Sequence, residues 1–129
     1  MAGLNKIETY LYDLGISYEE VGKETWLIDD PAKGLPRIVV SLNDPVVVVR
    51  VNVMEIPDSG REPFFRKLLE LNGEGLVHGA YAIEDGRIVL VDTLEYGTMD
   101  RQEFEASIDA IGFALSEHGP LLSGFVTKS

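Results

Sequence analysis

The sequence contains no cysteine. That excludes a disulfide framework and thiolate metal sites, and it suits a reducing compartment. Histidine is almost as scarce. His78 and His118 are the only two, and neither stands in the His-x-x-x-His or His-Glu-x-x-His spacing that presents two imidazoles to one ion. Long apolar runs are missing too. The longest, Pro45–Val49, falls far short of a bilayer span. The opening Met1-Ala2-Gly3-Leu4-Asn5-Lys6 has neither the basic-then-apolar pattern of a signal peptide nor a glycine directly after methionine. Basic residues are outnumbered, with 11 Lys+Arg against 22 Asp+Glu and a net charge of −11. Polyanionic backbones and anionic membranes select basic surfaces, so neither nucleic acid nor membrane is an expected partner. The carboxylates are scattered and form no tail, which favours a solubilising role; a cationic partner is the functional alternative.

What is present suits a single domain, residues 1–129, with a hydrophobic fraction of 45% that is ordinary for a globular chain. Leu4, Ile7, Leu11 and Leu14 recur at spacings of three and four and predict a first helix ended by Gly15, with Tyr10 and Tyr12 on its flanks. Ile16–Val21 and Thr25–Asp29 predict a hairpin around Gly22-Lys23, followed by a loop over Asp29–Pro36. Arg37–Leu42 and Val46–Ile56 predict central strands; Val46–Val49 read as buried on both faces, with alternation after Arg50. A second helix is expected over Glu62–Leu71, its apolar face made by Phe64, Phe65, Leu68, Leu69 and Leu71, and stopped by Asn72-Gly73. Leu76–Ile83 and Arg87–Leu94 flank Glu84-Asp85-Gly86, a strong hairpin signal. Thr98 is the expected cap of a last helix bearing Phe104, Ile108, Ile111 and Leu115, ending near Glu117 because of Gly119-Pro120. The tail from Leu121 either packs as an extra turn or covers a groove. The order α-β-β-β-β-α-β-β-α predicts an α+β fold, an antiparallel sheet with helices packed on it.

Leu68-Leu69-Glu70-Leu71-Asn72, Gly79-Ala80-Tyr81-Ala82-Ile83, Asp85-Gly86-Arg87-Ile88-Val89-Leu90 and Thr98-Met99-Asp100, in that order, resemble the YbjN-like family. Its fold is that of the class I type III secretion chaperones, the group that includes the Tir chaperone. The resemblance is strongest in the second half of the chain. It implies a homodimer that binds extended polypeptide segments through apolar patches and a sheet edge, without hydrolysing nucleotide. Such edge pairing satisfies backbone groups while side chains enter alternate pockets. The second helix often contributes to the dimer interface in these chaperones, which makes Arg61, Phe64 and Lys67 candidate subunit or partner contacts. Trp26 is either sheet core or an exposed anchor on a binding face.

Catalytic constellations are weak. Asp29-Asp30 precede Pro31-Ala32-Lys33-Gly34 without the alternating oxygen ligands of a calcium loop, and read as a solvated loop. Asp92 and Glu95 flank a strand end as a candidate carboxylate pair, but nothing in the sequence supplies a cleft. Gly73, Gly75 and Gly79 lie between a helix and a strand, the reverse of a phosphate cradle; Gly73 reads as a helix C-cap, Gly75 and Gly79 as a bend or close backbone approach. Ser41, Ser107 and Ser116 have no nucleophile-elbow context. His78 reads as a strand residue and His118 as a helix-end cation, both structural or solvated. The expectation is a cytoplasmic, non-enzymatic, chaperone-like homodimer without catalytic, cofactor or metal residues, holding a polypeptide partner. The alternatives are an acidic regulatory or adaptor subunit docking on a folded partner and, further off, a small-molecule binder.

Overall fold

The computed structural model describes residues 5–126. The elements run α1 (Lys6–Asp13), β1 (Tyr18–Gly22), β2 (Thr25–Asp30), a short 3-10 turn (Pro31–Lys33), β3 (Leu35–Asn43), β4 (Val46–Glu55), α2 (Arg61–Glu74), β5 (Ala80–Glu84), β6 (Arg87–Glu95) and α3 (Arg101–Ser123). The order matches the sequence expectation, and the fold is α+β. The strands form one antiparallel sheet in the order β1-β2-β3-β4-β6-β5, so β1 and β5 are its edges.

Register decides which side chains meet. Trp26 pairs with Val40, Val40 with Val49, Val51 with Leu90 and Leu90 with Tyr81. Side chains directly opposite one another share a face, and all of these are buried. The helices supply Ile7, Leu11, Phe64, Phe104, Ile108 and Ile111, all at 0% exposure, to the same core. One sheet face is therefore covered. This corrects the reading of Val46–Val49 as buried on both faces. Val47 and Val49 are buried, whereas Val46 and Val48 are half-buried on the uncovered side, the ordinary alternation of a sheet packed on one face only.

Turns follow their residue chemistry. Asp85 and Gly86 have φ of 51° and 76°, the left-handed pair of a tight hairpin turn. Gly79 has φ +85°, and a Cβ there would lie 2.9 Å from the Val91 carbonyl oxygen, so the expected close backbone approach exists and only glycine fits it. Leu76–Gly79, expected in a strand, connect α2 to β5 instead.

Helix ends depart most from expectation. α2 runs past Asn72-Gly73 and is closed by Gly75, whose N–H donates to the Leu71 carbonyl. α3 is capped by Asp100, not Thr98: Asp100 Oδ1 accepts from the Glu103 N–H and Glu103 Oε1 accepts from the Asp100 N–H, a complete capping box. α3 also continues through Pro120 to Ser123. Leu122 is 2% exposed, and the Phe125 ring packs 5.5 Å from that of Phe64. This apolar packing outweighs the missing proline N–H. Leu4, assigned to the first helical face, and the 127–129 end of the tail lie outside the described residues.

Candidate functional site

α2 carries two apolar stripes. Phe64, Leu68 and Leu71 face the core. Phe65 and Leu69 line an outward groove with Arg61, Glu62, Arg66 and Glu70, and Leu69 is 70% exposed. Consecutive helical residues point about 100° apart, so Phe64 and Phe65 serve different sides while their rings stay 5.7 Å apart. Of the residues named from sequence, Arg61 borders the groove, its Nε donating to the Pro57 carbonyl at 2.8 Å. Lys67 is half-buried on the opposite flank. Phe64 and Trp26, at 0% and 1% exposure, are core residues. On α2 the aromatic side chain that reaches the surface is Phe65, which is half-buried.

The two sheet edges are not equivalent. At β5, the Asn72 side chain takes both backbone groups of Tyr81: Oδ1 accepts from the N–H at 2.7 Å and Nδ2 donates to the carbonyl at 3.2 Å. A helix residue thereby occupies the edge where another strand would bond. β1 has no such cover, and Glu19 through Gly22 are exposed. On the uncovered sheet face, Arg50 reaches across β6 to Glu84 at 2.9 Å. Val89 of β6 lies between them and is 2% exposed, so the ion pair straps a valine that would otherwise meet water. The sequence marked Asn72 as part of a helix stop with Gly73, and no local pattern marked it as the cover of a sheet edge.

The titratable clusters are structural. Asp92 Oδ2 accepts from Ser107 Oγ at 2.7 Å and lies 4.0 Å from His78 Nδ1. A nucleophilic serine needs the imidazole between hydroxyl and carboxylate. Here the carboxylate is in the middle and Ser107 is 0% exposed, so the contact ties α3 to β6. Glu95, three residues from Asp92 along the strand, faces the other side of the sheet, so the two carboxylates form no pair. Asp30 is buried and accepts from the Ser17 N–H at 2.9 Å, while Asp29 pairs with Arg37 at 3.6 Å; these residues end β2 and are not a solvated loop. His118 is buried inside α3 instead of at its end, 2.7 Å from the Tyr81 hydroxyl through Nδ1. Burial pushes the Tyr81 phenol up to about 12. Desolvation first, and then the Asp100 charge, raise Tyr10, whose hydroxyl donates to the Met99 carbonyl. Among the described residues no group of three or more His, Asp or Glu could hold a metal ion, and no helix is long and apolar enough to cross a membrane.

Residues 2–128 match the CesT_Tir_1 family model. None of the curated proteins matches the chain in sequence. In fold it is similar to a chain of the heterodimeric ExoU–SpcU complex from the type III secretion system of Pseudomonas aeruginosa, with TM-score 0.74 and 22% identity over 90% of this chain and 97% of that one. It is similar also to YbjN from E. coli, with TM-score 0.65 and 17% identity over 92% and 93% of the two chains. A third likeness is to the HopA1–SchA chaperone–effector complex, with TM-score 0.62 and 6% identity over 93% and 89%. The chain belongs to the CesT_Tir_1 family, and its fold is that of the type III secretion chaperones and of YbjN.

Proposed function

We propose that this protein is a chaperone-like, non-enzymatic binding module that forms a homodimer and holds an extended segment of a partner polypeptide. The observation that carries the reading is the outward Phe65–Leu69 stripe of α2, where Leu69 is 70% exposed and Phe65 half-buried, on a helix whose other face is already packed. Its rim, Arg61 and Arg66 with Glu62 and Glu70, has both signs of charge, so a second copy meets it without net repulsion. The β1 edge suits an extended segment, since at the other edge Asn72 already takes both backbone groups of Tyr81. Membership of the family, and the likeness to chains from ExoU–SpcU and from a chaperone–effector complex, support the same reading.

Size-exclusion chromatography with light scattering tests it. The wild type is expected to run as a dimer, and Leu69→Lys as a monomer of unchanged circular dichroism. A monomeric wild type overturns the homodimer. The net charge of −11 favours a second reading, an acidic adaptor docking on a folded partner. That reading gains if binding is lost with modest salt and survives blocking of the β1 edge.

A further inference from the structure

Resting on the reading of the protein as a polypeptide-binding module, we propose that the groove between the α2–β5 connection and the outer face of α3 takes a basic segment with apolar anchors. The groove is floored by Leu76, Val77, Ala106, Ala110 and Phe113. Val77 is 90% exposed and Phe113 67% exposed. Scattered exposed apolar residues are ordinary, but these two open onto one depression of about 380 Å³, and neither serves the core.

Charge selects the occupant. The chain has no Lys or Arg between Lys67 and Arg87, and none between Arg101 and Lys128, so both walls of the groove lack them. Carboxylates surround it instead. Asp109 lines the groove, Glu105 lies one turn before it, Glu117 one turn beyond Phe113, and Glu74 immediately before Gly75; all are exposed. His78, the one lining residue able to carry positive charge, stands 4.0 Å from Asp92. A second copy would bring a net charge of −11 to an already negative rim, and an acidic peptide would meet the same repulsion. A segment with Lys or Arg flanking apolar side chains gains on both counts: the anchors bury against Val77 and Phe113, and the cations meet the rim. The mixed-charge stripe on α2 suits self-association, whereas this rim opposes it.

Fluorescence anisotropy with a labelled synthetic peptide of alternating leucine and lysine tests the proposal, with a leucine–glutamate peptide as its opposite. The lysine peptide is expected to bind the wild type. Val77→Ser with Phe113→Ser, and separately Glu105→Lys with Asp109→Lys, should each weaken it by about tenfold or more. Tyr12→Ser, at a residue of α1 that is 74% exposed and outside the groove, should leave it unchanged. All four groove positions are exposed, and the charge pair keeps the test alive if the apolar pair misfolds. Undiminished binding to both groove variants overturns the proposal, since the peptide then reads the acidic surface generally. Equal binding of the glutamate peptide also overturns it. So does conversion of a dimer to a monomer by the groove variants, which would assign the groove to a second copy. The two readings fail separately: a dimer whose groove variants bind the lysine peptide normally loses only this site, and a monomer that binds it in the groove loses only the homodimer.

Discussion

Tyr81 connects three parts of the molecule at once. Its backbone is held by Asn72 of α2, its ring lies in the core, and its hydroxyl meets His118 of α3. Tyr81→Phe removes the hydroxyl and leaves His118 Nδ1 without that partner in a buried site, which should cost about 1–3 kcal/mol in chemical denaturation. The phenol also links stability to pH. It ionises at 10 in the unfolded chain and at about 12 in the folded one. Between those values the unfolded state has lost a proton that the folded state keeps, so the contribution is complete below pH 10 and disappears as pH rises toward 12. The loss should be steeper in the wild type than in Tyr81→Phe, by up to about 1.4 kcal/mol per pH unit. Equal slopes would show that the phenol does not report on folding. Tyr10, also raised, is common to both proteins and cancels in the comparison.

At the level of elements, α3 begins by local rules and ends by distant ones. Its start is a capping box whose parts lie within four residues. Asp100→Ala should cost about 1–2 kcal/mol, while Thr98→Ala, at an exposed residue outside the box, should stay within about 0.5 kcal/mol. Urea titrations of the two variants check this; a larger loss at Thr98 would return the cap to the position expected from sequence. Beyond Pro120, Leu122 and Phe125 pack against the core and Phe64. α2 shows the same division. Asn72-Gly73 has the local chemistry of a helix stop, but Leu71 is buried and Asn72 is engaged with β5, so helix persists to Glu74.

The whole molecule is an acidic particle with one covered and one uncovered sheet face. Its net charge of −11 sets copies to repel one another. Neutralising the carboxylates should remove that protection, so a solubility minimum is expected near pH 4.5, the isoelectric point. Turbidity across pH 3.5 to 7 checks it; a flat profile would show that charge does not hold the copies apart.

The amino-acid sequence alone determined the element order, the β5–β6 hairpin and most of the core face. These depend on short-range causes: apolar period, turn residues with left-handed φ, and the space a glycine leaves. Phe104, Ile108 and Ile111 fell on one helical face by spacing alone and are all buried. Only the tertiary structure decided which of two adjacent aromatics entered the core, which face of the valine-rich strand stayed open, and where α2 and α3 ended. Phe64 and Phe65 have the same intrinsic chemistry. Phe64 is interior because it shares with Leu68 and Leu71 the α2 face that packs in the core, where the Phe125 ring lies 5.5 Å from it, leaving Phe65 and Leu69 on the outward side. The candidate sites were the least legible feature for the same reason. Each depends on what lies uncovered after the long-range contacts are made, and no local pattern encodes that.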